Sequence, residues 1–319
     1  MKDFARWLPI RLHWTPSGLA VDWAFMSDIR FTHPFFAQTV EQSFRNPAHL
    51  LFRRETSMDV LGDQLPGLPP RGFIFHGSRC GSTLIAQMLA ALPENIVISE
   101  AAPIDIVLRA HLHDPAISDD QRIIWLRWLL NALGQRRFPQ EKSLFVKFDS
   151  WHACFLPLIQ RAFPNVPWIF VYREPVEVLL SHTRQRGGQM IPGVLEPAVF
   201  GWDAQAVSRM SPGEYGARAL ARIYEAGLEH ARTGPGKLVN YRQLPAIVWP
   251  TLMNYWGLDC PPRIPDSMAR VCQFHAKNPI LPFAETTNPA APEAMHQFAQ
   301  QWLSKIYRQL ELQRTQVTS

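Results

Sequence analysis

Cysteine is scarce in this chain. Four of 319 residues are cysteine (Cys80, Cys154, Cys260, Cys272), and none falls in a C-x-x-C pair. That pattern argues against a disulfide-stapled secreted scaffold and against a zinc site, and a reducing, cytoplasmic compartment is expected. Long apolar runs are missing too: no stretch reaches the roughly 20 residues that a membrane span needs. The opening MKDFARWLPIRLHW has no apolar h-region, so no secretory signal is expected. There is no long lysine or arginine run and no RNA-binding signature. The net charge of +5 therefore reads as suited to a small anionic ligand, not to nucleic acid. A Walker A lysine is also absent, although a glycine turn of that general kind is present.

What is present is a chain with 47% hydrophobic residues, enough for one large α/β domain with additions. It is organised around Arg71 to Leu92. Phe73 to His76 reads as a short buried strand, Gly77 to Gly81 as a tight turn, and Ser82 to Leu92 as a helix with apolar residues at helical spacing. Strand, glycine turn and helix form the layout in which backbone N–H groups and the helix dipole converge on an anion. Walker A needs G-x-x-x-x-G-K-[ST]. Here the glycines stand one residue too close and Ser82 occupies the lysine position. What remains is Ser78, a cation (Arg79), a small residue (Cys80), Gly81 and two hydroxyls (Ser82, Thr83).

A second strand-to-helix corner follows. Trp168 to Tyr172 is β-rich and ends in Arg173. Glu174, Pro175 and Glu177 suit the first turn of a helix. Between the corners, Asn95–Ser99 and Leu144–Phe148 read as strands, the first ending at Glu100. Asp119–Leu133 reads as an amphipathic helix capped by Ser118, and Trp151–Phe163 as another. Lys237–Tyr241 is a fifth strand, preceded by a long helix over Gly213–Thr233. Alternating strands and helices predict a parallel sheet with helices on both faces. Ligands in such sheets sit at the carboxyl ends of the strands. Arg79, Glu100, Lys147 and Arg173 all lie at or just past such ends.

Residues 1–68 precede this core. Ile10–Trp14 and Val21–Trp23 flank Thr15-Pro16-Ser17-Gly18 as a hairpin. Pro34–Phe44 and Phe52–Leu61 read as short helices, and Pro66–Pro70 as a linker. The segment is suited to capping the sheet, covering a cleft or pairing with a second copy, and the residues do not choose. After the fifth strand come a short helix over Leu252–Leu258, a proline-rich crossing, and one final helix over Glu293–Gln313.

The two corners resemble the sulfotransferases that use 3′-phosphoadenosine 5′-phosphosulfate (PAPS). Bacterial and Golgi-type members carry R-x-G-[ST]-T at the loop, matched by Arg79 to Thr83. The family's 3′-phosphate motif is a strand ending in arginine, then R-[DEN]-P-x-[DE]-V, with a serine eight positions on, matched by Arg173 and Ser181. The resemblance implies an α/β, P-loop-like three-layer fold over residues 69–319, with 1–68 as an N-terminal extension. It implies a PAPS-dependent sulfotransferase that binds the donor through Ser78, Arg79, Cys80, Gly81, Ser82, Thr83, Arg173 and Ser181, without a metal. The product would be 3′,5′-bisphosphoadenosine. The acceptor would be a hydroxyl of a small molecule, carbohydrate or lipid, with a homodimer as one arrangement.

By the same resemblance Arg79 neutralises the leaving charge, Lys147 contacts the moving sulfuryl group, and Glu100 is the general base. Asp149 stands where the cytosolic aryl and steroid enzymes carry histidine, and it is the rival base. His152 is a weaker rival. Tyr241-Arg242-Gln243-Leu244 matches the family's Y-E-D-L only in part. The late glycine-rich motif is not visible, and His275-Ala276-Lys277-Asn278 is a late segment that could supply a cation to the cofactor. Two alternatives stay open. A P-loop kinase or NTPase needs the missing lysine, and a non-catalytic nucleotide-binding protein of the same fold would bind without turnover.

Overall fold

In the computed structural model the described residues are 4–52, 54–62, 66–234, 236–282 and 290–316. The chain opens with an antiparallel pair, β1 (Trp7–Thr15) and β2 (Gly18–Phe25), joined where Thr15 faces Gly18. The expected hairpin is therefore present, with longer strands. A third strand, β3 (Arg54–Ser57), pairs with β2. This corrects the helix expected over Phe52–Leu61: residues 54–57 are extended and only Met58–Leu61 form a 3-10 turn. The reason is tertiary. Strand β2 offers an open edge, and Thr56 there accepts a hydrogen bond from the Trp23 indole at 2.9 Å. A partner strand satisfies that edge, and four residues of helix would not.

The central sheet is parallel and has five strands: β4 (Pro70–His76), β5 (Asn95–Ser99), β6 (Ser143–Lys147), β7 (Trp168–Tyr172) and β8 (Gly236–Asn240). Their order across the sheet is β5-β6-β4-β7-β8. The strands read as near-continuous hydrophobic runs because both faces are covered. Alternate side chains serve opposite layers. Phe73, Phe75, Val146, Trp168 and Phe170 pack on one side with the helices Asp119–Leu133 and Pro212–Thr233. Ile74, Val97, Phe145, Ile169, Val171 and Val239 pack on the other with the helix Ser82–Ala90. The architecture is three-layered α/β.

Residues before the sheet share its core: Leu8, Leu12, Val21 and Trp23 belong to the same apolar cluster as Phe73 and Phe75. Polar clamps fix them there. The Gln135 side chain accepts from Arg6 N–H (3.1 Å) and donates to the Trp7 carbonyl (2.8 Å). The Arg30 guanidinium caps the end of the helix after the glycine turn, donating to the carbonyls of Ala90 (3.0 Å) and Leu92 (3.1 Å). The Pro66–Pro70 segment is pinned as well, with Leu68 N–H donating to Gly134 O at 2.8 Å.

Two further expectations change. Trp151–Phe163 is a 3-10 turn (Ser150–Phe155) followed by a helix (Leu156–Ala162). The final helix is two, Glu293–Trp302 and Ser304–Gln316. Leu303, fully buried between them, has left the helical conformation (φ −120°), and the second segment thereby packs back on β8. The proline-rich crossing includes a hairpin, β9 (Phe274–His275) with β10 (Asn278–Pro282). The part of it at 283–289 lies outside the described residues.

Candidate anion-binding active site

Every strand of the central sheet delivers a polar side chain at its carboxyl end. Lys147 closes β6 and His76 closes β4; Glu100, Arg173 and Tyr241 directly follow β5, β7 and β8. Parallel pairing sets them side by side: Ser99 faces Lys147, His76 faces Val171, and Tyr172 faces Asn240.

The glycine turn is strained where it meets this edge. Ser78 (φ 64°), Arg79 (φ 51°) and Gly81 (φ 85°) are all left-handed, and so is Glu100 (φ 53°). A non-glycine residue there costs on the order of 1 kcal/mol or more, and such strain clusters where a ligand is clamped. The φ of Gly81 favours glycine, and a Cβ there would lie 2.5 Å from Leu244 Cδ1, so that side chain would have to shift. The N–H groups of Arg79, Cys80, Gly81 and Thr83 find no acceptor among the described residues. They stand at the start of a buried helix, the arrangement that an anion completes. Cys80 contributes only backbone: its thiol is fully buried, donates to Val171 O at 3.0 Å, and is pushed up to about 11 by burial. Ser78 Oγ accepts from the Gln189 amide at 2.9 Å, which ties the loop to the 3-10 turn Gly188–Met190.

Lys147 has no exposed surface, and its Nζ donates to Glu100 Oε1. Glu100 N–H in turn donates to Lys147 O at 2.7 Å, so backbone and side chain lock the pair together. His76 Nε2 lies 3.3 Å from the same carboxylate oxygen. Burial by itself would raise the Glu100 pKa, but Lys147 and His76 outweigh it and hold the carboxyl well below the usual carboxylate range. His76 is lowered to about 4, first by burial and then by Lys147. Its Nδ1 accepts the Ser78 N–H at 3.1 Å, which assigns the remaining proton to Nε2, facing Glu100.

Arg79 donates to Gln185, to its carbonyl at 3.1 Å and its side-chain oxygen at 3.2 Å. Both acceptors are neutral. Arg173 sits differently. Its Nε is 2.5 Å from Glu177 Oε2, its guanidinium stacks 4.1 Å from the Tyr241 ring centroid, and its Nη1 reaches Arg79 O at 3.5 Å. The two arginines therefore border one loop. Ser181 lies one turn beyond Glu177 on the same helix (Pro175–Arg184).

The rival bases separate clearly. The His152 ring is consumed: Nδ1 accepts Asp149 N–H at 3.2 Å and Nε2 donates to Asp105 Oδ1 at 2.9 Å. It holds the turn together and leaves neither nitrogen for chemistry. The Asp149 carboxyl is raised to about 7 by burial, with His152 opposing and Glu100 adding to the rise. Two carboxyls in one cleft thus have pKa values pushed apart, an arrangement that assigns acid and base roles in enzymes.

Three contributors were not legible beforehand. His76 reads from sequence as one more apolar-strand residue, although its place as the last residue of β4 was the available signal. Tyr241 was visible as the start of the partial Y-E-D-L match, but its place under Arg173 was not. Phe35 comes from the segment before the sheet, and its ring centroid is 5.4 Å from Lys147 Nζ.

Among solved structures, the chain is similar to the sulfotransferase domain from the curacin biosynthetic pathway (16% identity, TM-score 0.44, covering 75% of this chain and 98% of that one). It is similar to the sulfotransferase domain of the Synechococcus PCC 7002 olefin synthase (16%, TM-score 0.41, 75% and 96%). It is similar also to a sulfotransferase from Alicyclobacillus acidocaldarius (13%, TM-score 0.46, 77% and 96%). No family model matches the chain. No curated protein matches it.

Proposed function

We propose that this chain is a sulfotransferase that moves a sulfuryl group from PAPS to a hydroxyl acceptor. The observation that carries the reading is the glycine turn: four backbone N–H groups without acceptors among the described residues, set beside Arg79 and Lys147. The loop and Arg79 hold the 5′-phosphate, and Arg173 with Ser181 holds the 3′-phosphate through fork and hydroxyl. In the transfer a new S–O bond forms from the acceptor oxygen, and the bond from sulfur to the bridging oxygen breaks. Its electron pair stays on the phosphate, where Arg79 offsets the charge, as in loose phosphoryl transfer. Glu100 takes the acceptor proton. Its pairing with Lys147 keeps it ionised in the resting protein. When Lys147 swings to the sulfuryl group, Glu100 loses its strongest stabilising partner and gains basicity.

A second assignment of the base has its own support. The Asp149 carboxyl, raised to about 7, has the pKa expected of a general base near neutral pH. A P-loop kinase is disfavoured because Ser82 takes the lysine position.

The test is binding followed by turnover. 3′,5′-Bisphosphoadenosine at 100 times its dissociation constant should add about 2.7 kcal/mol of stability. ATP with Mg²⁺ should add far less. Arg79→Ala should abolish sulfuryl transfer to an alcohol acceptor while the protein stays folded. Preferential stabilisation by ATP with Mg²⁺ would replace this reading with the kinase one. Tight bisphosphate binding with no turnover on any alcohol would make the chain a nucleotide-binding protein only.

A further inference from the structure

A cation from outside the parallel sheet enters the loop end of the site. Lys277 lies in the turn between β9 and β10, and its Nζ is 5.6 Å from the centroid of Phe35. Lys147 Nζ approaches the same ring at 5.4 Å. Two ammonium groups thus share one aromatic ring, with a favourable cation–π contact for each. Lys277 has no carboxylate within ion-pair distance among the described residues, although it is half-buried. Glu100, the carboxylate near it, already serves Lys147 and His76.

The groups that face Lys277 come from every element around it. They are Arg79 and Cys80 of the glycine turn, Glu100 after β5, Lys147 of β6, His76 of β4 and His182 of the helix after Arg173. Burial first, then Arg79 and Lys147 against the pull of Glu100, lower its ammonium to about 8. Arg79, Lys147 and Lys277 stand against Glu100 alone among these fixed charges. That surplus of positive charge asks for an anion.

We propose that Lys277 is a donor-binding cation for the 5′ end of the nucleotide, and that the Phe35 ring, which both ammonium groups approach, positions it there. The assignment rests on the sulfotransferase reading above. It gives the N-terminal segment a place in the site and distinguishes the two ends of the donor: Lys277 answers the phosphosulfate, not the 3′-phosphate. Binding an anion beside Lys277 restores its proton, so donor binding near pH 8 takes up protons from solution.

The experiment is calorimetry with two probes, 3′,5′-bisphosphoadenosine and adenosine 3′-monophosphate, on the whole chain. In Lys277→Met the bisphosphate should bind about 10–100-fold more weakly, the range for losing one charged hydrogen bond. The 3′-monophosphate, which lacks a 5′ charge, should bind as before and so controls for folding. Lys277→Arg should restore most of the loss. Proton uptake at pH 8, read from heats in two buffers of different ionisation enthalpy, should vanish in Lys277→Met and shrink in Phe35→Ala.

Equal weakening of both probes would move Lys277 to the 3′ end and overturn the proposal. Unchanged bisphosphate affinity in Lys277→Met would remove Lys277 from the site while leaving the sulfotransferase reading intact. Unchanged proton uptake in Phe35→Ala would overturn the positioning role given to Phe35. A wild-type protein that binds neither probe would overturn both readings together.

Discussion

The two ends of the cleft are built on opposite principles. At the glycine turn, backbone donors lack acceptors among the described residues and cations outnumber carboxylates. At the other end Arg173 is already answered, by Glu177 at 2.5 Å and by the face of Tyr241. The first end is arranged in advance for an anion. Under the proposed function the second would exchange a carboxylate for a phosphate, so part of the attraction would be spent on displacing Glu177. Under the same function, the difference would make catalytic electrostatics and donor selectivity separable. Arg79, Glu100 and Lys147 would then set the rate, and the arginine corner would set the preference for a 3′-phosphate.

The largest test of that division falls on the turn end. Glu100→Gln should lower turnover by about 10²–10⁴, the usual contribution of a general base, with little change in bisphosphate affinity. The pH profile then identifies the base. With Glu100 in that role, kcat/KM stays flat with pH well into the acid range, because its carboxyl is held low by Lys147 and His76 against the opposing effect of burial. With Asp149 in that role, kcat/KM rises tenfold per unit up to a bend near its pKa of about 7. A wild-type bend near 7 that disappears in Asp149→Asn would transfer the base to Asp149.

A smaller effect belongs to the other end. Arg173→Ala should weaken bisphosphate binding by about 10–100-fold, the cost of a charged hydrogen bond. Adenosine 5′-monophosphate should bind unchanged. Glu177→Gln should act in the opposite direction and tighten the bisphosphate several-fold, since the phosphate no longer displaces an ion pair. Should Glu177→Gln weaken the bisphosphate instead, the carboxylate is orienting Arg173 and the contrast between the ends is wrong.

The layers of the fold were readable because they depend on local pattern. Trp168–Tyr172 and Asn95–Ser99 alternate between two buried faces, and Ser118 caps its helix by accepting from Gln121 N–H at 3.2 Å. Arg79, Glu100 and Lys147 could be placed because strand ends in a parallel sheet converge whatever the connections between them. The misplaced elements depend on distant partners. Residues 54–57 are extended because β2 needs an edge partner thirty residues away in sequence. Leu303 breaks the last helix because the core takes its side chain. The site contributions of Phe35 and Lys277 are of the same kind. Phe35 belongs to no motif, and the late segment holding Lys277 was visible only as one that could supply a cation; tertiary packing brings both to Lys147. His76 shows a subtler failure: its position was clear and its role was not, since a buried histidine ending a strand has many uses.

A last effect is on stability, and it probes the charge surplus at the turn end without any ligand. In the folded chain His76 titrates at about 4, lowered by burial and by Lys147, against 6.5 for the free side chain. Between those values the unfolded chain binds a proton that the folded chain refuses. Stability therefore falls as pH drops from about 6.5 towards 4, by at most about 3 kcal/mol for this group. His182, also lowered to about 4, adds to the same slope. His76→Asn keeps an acceptor for the Ser78 N–H and removes the titration. Urea unfolding at pH 7, 6, 5 and 4.5 should show a shallower loss in the variant, while His182 keeps the remainder. A slope identical to wild type would mean that His76 is protonated in the native state. The positive surplus inferred at the glycine turn would then be too weak to repel a proton, and the contrast between the two ends would shrink with it.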